Sequence, residues 1–468
     1  MALEWYLHRR ELRWLLLSIS CILFVLTGMH LLAPGYPEPV QSTGLFRPVL
    51  EEDIPPPEPL ATIADAKQST SILTSSTLVR NAAPTPTPHT TAQSDGAILP
   101  ASRITPYLSA ILDPAVTEPA RLQCPSLNVS RYETLLHEPE VGSGGADKLP
   151  VDFYFALDLR DCVSLLPSLL GSIVEAFRFL GPRRCALSIV EGNSPDGTGD
   201  VLQALAPHLQ RLGITYFFSS SDIDPSAGDR IRKLADLRNL ALQPLLDSPG
   251  LAFRNTTVLF INDVAPCAED LLELLLQRQA LGADMTCAMD WTQVGDNPLF
   301  YDVWIARTIH GDSFFEIPPD GSWDRAWDLF WNAPETYRRF QAHLPFQVFS
   351  CWNGAAAFTA APLLDGLRFR EPRGGEDGEC GQGEPQLFCK DMWFRGYGKI
   401  AVVPSVNLEY TNELAADIKQ TKGYTLDLVR DHTDEEDRIE WVLEPPDMVK
   451  CMPMWTNQFW RPWNESLK

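Results

Sequence analysis

An acidic side chain at the carboxyl end of a buried strand is the first candidate for chemistry in this chain. Thr257 to Ile261 reads as a strand and runs into Asn262-Asp263-Val264 before the chain turns through Pro266. In open α/β sheets ligands bind beyond the carboxyl ends of strands. A carboxylate there can hold a divalent cation against a phosphate, since hard cations take oxygen ligands and leave positions for phosphate oxygens. Asp263 is therefore a candidate metal ligand; the competing reading is a plain turn residue. Glu191-Gly192-Asn193-Ser194-Pro195-Asp196-Gly197-Thr198 follows another strand. Glu191 and Asp196 can accept hydrogen bonds from a ribose or base there, although Ser, Asp and Thr equally suit a turn and a helix cap. Between these two segments lies Arg230-Ile231-Arg232-Lys233, followed by Arg238. Arg238 is the candidate for a diphosphate contact, against the alternative of a solvated, ion-paired helix face. Taken together, the three elements point to a nucleotide-sugar site.

The second half supplies a different kind of residue. In Ser350-Cys351-Trp352-Asn353-Gly354, an aromatic face and an amide suit the apolar patches and hydroxyls of a sugar. Trp352 and Asn353 are thus candidate acceptor-binding residues; the alternative is a core tryptophan beside a disulfide-bonded Cys351. Gly378 to Trp393 contains Glu384 and Asp391. A carboxylate in that position could stabilise cationic character at an anomeric carbon. Glu384 immediately precedes Pro385, so a helix cap or turn is its other reading.

These residues need a scaffold, and the apolar pattern describes one. Strands are expected at Val151–Leu157, Ala186–Val190, Ile214–Phe218, Thr257–Ile261 and Asp284–Ala288. Between them, helical periodicity runs from Leu166 to Phe177, Val201 to Leu212 and Arg230 to Leu246, and again from about Ala268. Such alternation implies an α/β fold with a mostly parallel sheet and right-handed crossovers. From Trp291 to about Pro404 the chain is rich in Trp, Gly and Pro, which predicts a loop-rich lobe built against the sheet. No Gly-x-Gly-x-x-Gly follows the first strand, and no P-loop or Gly-x-Ser-x-Gly elbow occurs. Dinucleotide binding, P-loop chemistry and α/β-hydrolase chemistry lose their main supports.

The 468 residues carry a formal net charge of -23 with no long basic block, which disfavours nucleic acid as a partner. Trp14 to Ala33 is a stretch of about 20 residues without a formal charge, long enough to cross a bilayer. Arg9, Arg10 and Arg13 precede it, so the N-terminus is expected to stay cytoplasmic. The resulting division is a cytoplasmic tail (1–13), a signal anchor (14–33) and a Pro/Ser/Thr-rich lumenal stem (34–150). A nucleotide-sugar half (151–290), an acceptor half (291–410) and a C-terminal extension (411–468) follow. Sequons at Asn128, Asn255 and Asn464 fit a secretory chain. Nine of the ten cysteines lie beyond the anchor, so several are expected to pair and at least one to remain over.

The run Glu191 to Thr198, the segment Leu237-Arg238-Asn239-Leu240-Ala241-Leu242 and Phe260-Ile261-Asn262-Asp263-Val264 have a shared likeness. So do Tyr301-Asp302-Val303-Trp304, Ser350 to Gly354 and Glu379-Cys380. As an ordered set they resemble the fungal capsule-associated α-1,3-mannosyltransferase family, glycosyltransferase family 69, over roughly residues 151–410. The resemblance implies a GT-A type nucleotide-sugar-binding fold, GDP-mannose as donor, a mannoside glycan acceptor and a divalent cation, Mn or Mg. It also implies a single-pass type II protein of the Golgi membrane. Asp263 would occupy the place of the acidic metal motif, with Asn262 in a slot that is acidic in many GT-A enzymes. Gly383 stands beside Glu384 where the family tends to have serine. GDP-α-mannose giving an α-mannoside means retention, for which Glu384 and Asp391 are the candidate carboxylates. Two rivals stay open: a catalytically inactive lumenal sugar-binding or assembly protein of the same fold, and a transferase using another nucleotide sugar.

Overall fold

A strand buried on both faces needs an apolar run rather than alternation, and Val151-Asp152-Phe153-Tyr154-Phe155-Ala156-Leu157-Asp158-Leu159 supplies one as β1 (Val151–Leu159). The computed structural model describes residues 91–92, 94–136, 150–294, 297–374 and 378–467. All of them belong to one unit, Pro84–Lys468. Alongside β1 run β2 (Cys185–Glu191), β3 (Thr215–Ser220) and β4 (Ala252–Ile261). They form the parallel block β3-β2-β1-β4. Helices α1 (Ala101–Leu112), α2 (Leu166–Leu180), α3 (Thr198–Leu212), α4 (Arg230–Asp247) and α5 (Ala268–Ala280) accompany it.

Side chains alternate across this block. Phe153, Phe155 and Leu157 belong with the apolar faces of α1, α2, α3 and α5 in one core layer. Tyr154 and Ala156 belong with α4 and the second half of the chain in the other. Each fully buried Leu, Ile or Phe in these layers contributes about 1.5–3 kcal/mol relative to exposure.

The second half continues the sheet with β5 (Met285–Val294), β6 (Asn297–Phe300), β7 (Arg307–Thr308), β8 (Phe346–Ser350), β9 (Ala355–Thr359) and β10 (Ile400–Leu408). Its helices are α6 (Pro334–Gln341), α7 (Ala361–Leu364), α8 (Glu384–Phe394) and α9 (Asn412–Lys422). The strand order is β3-β2-β1-β4-β9-β5-β10-β8-β7, with β6 on β5. Here the expectation of a mostly parallel sheet needs correction. β9 runs antiparallel to both neighbours, β4 and β5, and β8 runs antiparallel to β10, so the whole sheet is mixed. Strands β8 and β9 run in the same direction, both opposed to β5, and the turn Cys351-Trp352-Asn353-Gly354 between them has φ of 55° at Asn353 and 81° at Gly354. The turn leads into Ala355-Ala356-Ala357 of β9, whose small side chains fit between β4 and β5 but show no strand-like alternation in sequence. Among the described residues no helix is long and apolar enough to cross a membrane. The expected anchor, Trp14 to Ala33, lies outside the described residues.

Residues 94–136 fall within the expected stem, yet they are built onto the sheet unit. Helix α1 buries Ile104, Leu108 and Ile111. Asp200, in the first turn of α3, accepts the backbone N–H groups of Ala97, Ile98 and Leu99 at 2.8, 2.8 and 2.6 Å. Cys124 is bonded to Cys267 at the start of α5, and Arg131 makes two 2.7 Å bonds to Glu273. Asp200→Ala would leave three peptide donors without their acceptor and should cost about 1–3 kcal/mol. A lowered denaturation midpoint and faster proteolysis near Leu99 would register it.

The C-terminal part is also knit in. Lys419 of α9 is buried and donates 2.7 Å bonds to both oxygens of Asp270 in α5. The hairpin β11 (Met448–Met454) and β12 (Asn457–Pro462) is fastened by Cys380–Cys451. With Cys287–Cys351 that makes three disulfides among the described residues, where Cys162, Cys185 and Cys389 are free and buried.

Candidate active site

The order β3-β2-β1 followed by β4 means that connections leave β1 in opposite directions on its two sides. At such a switch point the strand ends open a crevice for ligands. Leu157 pairs with Ile261, so Asp158 and Asn262-Asp263 emerge together at that edge. Both carboxylates are half-buried. Desolvation raises Asp158 to about 6, opposed by Arg238 and assisted by Glu384. Desolvation also raises Asp263 to about 7; its own backbone N–H eases the shift, Asp158 adds to it and Arg238 opposes it.

Arg238 is the centre of this arrangement and is only 7% exposed. Its Nε donates to Glu384 Oε1 at 2.8 Å, and its Nη1 donates to Asn262 Oδ1 at 3.4 Å and lies 3.8 Å from Asp158. The guanidinium sits over the rings of Trp352, Phe260 and Phe369 at 4.6, 5.1 and 5.7 Å. Delocalised and weakly hydrated, guanidinium tolerates such an aromatic cage where an ammonium would not. Arg238, expected on a diphosphate, is here engaged by side chains of its own fold.

Trp352 has the same fate. It is 1% exposed, its indole N–H donates to Asn262 Oδ1 at 3.0 Å, and its ring lies among Phe260, Phe358 and Phe369. No face is left for a sugar, because the residue is core, beside the disulfide-bonded Cys351. Asn353 is also fully buried; its side-chain amide donates to Ala288 O at 2.8 Å. Its backbone N–H donates to Asp302 Oδ2 at 2.9 Å, and Gly354 O accepts from Asn262 N at 2.8 Å. The turn from Cys351 to Gly354 thus fixes the backbone next to Asp263 instead of presenting an acceptor surface.

Glu384 begins α8 and meets the crevice through Arg238. Asp391 does not come with it. Its carboxylate takes 2.6 and 2.8 Å bonds from Arg370, which also holds Glu379, and Glu379 in turn takes a 2.7 Å bond from Lys390. Asp391→Asn should lower stability by about 1–3 kcal/mol and leave kcat within about twofold, checked by denaturation and initial rates. Glu191 and Asp196 are likewise engaged in turns. Glu191 accepts from Ser194 N at 2.6 Å. Asp196 accepts from the Thr198 N–H and hydroxyl and from Val163 N, at 2.9, 2.7 and 2.9 Å. They shape the loop at the end of β2; among the described residues neither bonds to the Asp158–Asp263 group.

Besides Asp158, four residues absent from the expected set lie near this group. Asp302 is pushed well above the usual carboxylate range by burial and by Asp290. Burial lifts Asp290 to about 7, although Tyr410 donates to it at 2.7 Å. The Tyr301 and Tyr410 rings are 5.0 Å apart, and Tyr301 feels Asp290, Asp302 and Asp263. The rule that selected Asp263, an acidic residue just past a strand, applies equally to Asp158 and Asp290; Tyr301 and Asp302 belong to a motif of the resemblance.

Among the described residues no group of three or more His, Cys, Asp or Glu side chains converges as a metal cage. Asp263 nevertheless suits a hard cation. It is a desolvated carboxylate facing a second one, and a divalent ion shared with a substrate diphosphate needs only one or two protein carboxylates.

The family model described as Cryptococcal mannosyltransferase 1 matches residues 152–391. The chain belongs to this family. It is 36% identical over 342 residues to the alpha-1,3-mannosyltransferase CMT1 of Cryptococcus neoformans var. neoformans serotype D, covering 67% of this chain and 72% of that protein. This membership places the chain among the glycosyltransferases. Solved structures give weaker likenesses. The Staphylococcus aureus TarS 1-349 complex with UDP has a TM-score of 0.33 at 13% identity, covering 61% of this chain and 68% of that one. The mannosyltransferase PcManGT from Pyrobaculum calidifontis, in complex with GDP-Man and Mn2+, has a TM-score of 0.33 at 13% identity, covering 60% and 62%. Likenesses at this level carry no argument.

Proposed function

We propose that the protein is a retaining α-1,3-mannosyltransferase of GT-A type that moves mannose from GDP-mannose to a mannoside of a glycan or polysaccharide. The observation that carries the proposal is the acidic crevice at the β1–β4 switch point, within the segment matched by the family. The order β3-β2-β1-β4, with the second half of the chain laid against it, supports the GT-A reading. Asp263, with Asp158 beside it, would hold a divalent cation, Mn or Mg. Such a cation, when bound, neutralises charge on the departing diphosphate.

In the transfer the bond from the mannose anomeric carbon to the GDP phosphate oxygen breaks, and a bond to the acceptor 3-hydroxyl oxygen forms. The hydroxyl proton passes to the departing phosphate. Retention follows from a covalent intermediate or from same-face attack within an ion pair. Arg238 engages the Glu384 carboxylate at 2.8 Å, which favours the second route. Glu384 then acts by holding Arg238 and the crevice wall, not as a nucleophile.

We also propose a type II anchor at residues 14–33 and Golgi residence; the three disulfides support an oxidising, lumenal compartment. The detergent-solubilised full chain, incubated with GDP-mannose or UDP-sugars and methyl α-mannoside, tests the activity. Transfer from GDP-mannose alone, giving an α-1,3 linkage by NMR, is the expected result. A β-linked product overturns retention, transfer from another donor overturns the donor, and no transfer by folded protein favours a sugar-binding role.

A further inference from the structure

With Trp352 buried, the acceptor must find aromatic surface elsewhere, and the motif Tyr301-Asp302-Val303-Trp304 leads to it. Asp302 lies in the acidic crevice, and Trp304 stands two residues further on in the turn that Asp302 opens, where Ile305 and Ala306 donate to Asp302 O. Trp304 packs edge-on against Trp455, with centroids 4.9 Å apart at 87°. Trp455 packs in the same way against Trp323, at 5.5 Å and 85°. All three are half-buried at the edge of the core. They come from three separate stretches of chain and form a stepped aromatic row whose first member, Trp304, lies two residues along the chain from Asp302.

This row is held in place from several sides. Gln382, two residues before Glu384, donates to Trp304 O at 2.7 Å. Gln458 donates to Ile317 O and Pro318 O at 3.2 and 3.3 Å, tying the hairpin to the loop that carries Trp323. At Gly321, with φ 77°, an added Cβ would come within 2.9 Å of Trp455 Cβ, so only glycine lets the loop approach this closely. Cys380–Cys451 fastens the base of the hairpin to the segment ahead of α8.

We propose that Trp304, Trp323 and Trp455 form the acceptor subsite, taking a neutral oligosaccharide such as a mannoside whose C–H faces lie on the rings. The assignment rests on the transferase reading above. The turn that begins at Asp302 carries Trp304, so a sugar on this ring would lie near the crevice, and the net charge of -23 disfavours an anionic occupant. Aromatic rings offer large apolar area at fixed positions, which suits a ligand held mainly by orientation.

Trp455→Ala and Trp323→Ala test the subsite with α-mannobiose as the acceptor and GDP-mannose as donor. Each should raise the mannobiose KM by about tenfold. The GDP-mannose KM, and slow GDP-mannose hydrolysis without acceptor, should stay within about twofold. Trp327→Ala, an exposed tryptophan not stacked in the row, is the control and should change neither. A change in tryptophan fluorescence on adding mannobiose should appear in the wild type and shrink in both variants. An unchanged mannobiose KM in stably folded variants overturns the subsite, as does an equal rise in both KM values with a lowered Tm. Absence of wild-type transfer overturns the transferase reading instead, and the fluorescence titration then decides sugar binding alone.

Discussion

Asp263→Asn should reduce mannose transfer by about a thousandfold or more while leaving the protein fully folded. The magnitude follows from the several kcal/mol that charge neutralisation at a leaving diphosphate can supply. Its specificity follows from place: Asp263 lies just past the carboxyl end of β4, close enough to Asp158 at the end of β1 for the two charges to interact. Burial and the neighbouring Asp158 already disfavour its charge, which is why its pKa is raised to about 7. An amide of the same shape removes that unfavourable charge, so the Tm should be no lower than that of the wild type. Functional side chains that strain their surroundings commonly behave in this way. The variant should also lose the Mn-dependent part of GDP binding in calorimetry, a readout independent of turnover. Asp158→Asn should give a smaller loss of activity, since Asp158 also sits 3.8 Å from Arg238. Full activity of Asp263→Asn, or full activity of the wild type in excess chelator, would remove the metal role.

The sequence was informative where one physical rule acts locally. Buried parallel strands show as apolar runs, and β1, β2 and β4 are found where the runs predict them. The helices between them carry clear 3.6-residue periodicity, so α2, α3 and α4 were equally legible. β9 was not, because Ala355-Ala356-Ala357 has no alternation and earns its place only by being small enough to sit between β4 and β5. The candidate site divides along the same line. Strand ends direct attention to Asp263, which lies beside Asp158 past β4, but residue type alone could not separate a tryptophan with exposed surface from one that stacks on arginine. Trp352 and Trp455 differ in burial, a property of contacts 90 or more residues apart: Trp352 bonds to Asn262, and Trp455 meets Trp304. Asp391 and Glu384 lie on one helix, and only their arginine partners, Arg370 and Arg238, show that they belong to different networks.

Arg238→Met should destabilise the protein by about 3–5 kcal/mol, the usual cost of removing one partner from a buried ion pair. The substitution leaves Glu384 and Asp158 facing each other at the edge of the core without their shared counter-charge. Met fills much of the cage of Trp352, Phe260 and Phe369, so a cavity contributes little of the loss. Arg238→Lys keeps the charge but loses the planar fork and the stacking, and should recover only part of the stability. Glu384→Gln in the Met background should then restore some of it, because the neutral amide no longer needs a cation. That non-additivity is the signature of direct coupling, and denaturant midpoints of the four proteins in the cycle measure it. A residue that instead contacts the donor diphosphate would behave oppositely: Arg238→Met would weaken GDP binding at unchanged stability. The double-mutant cycle therefore separates a structural arginine at the crevice wall from one that grips substrate.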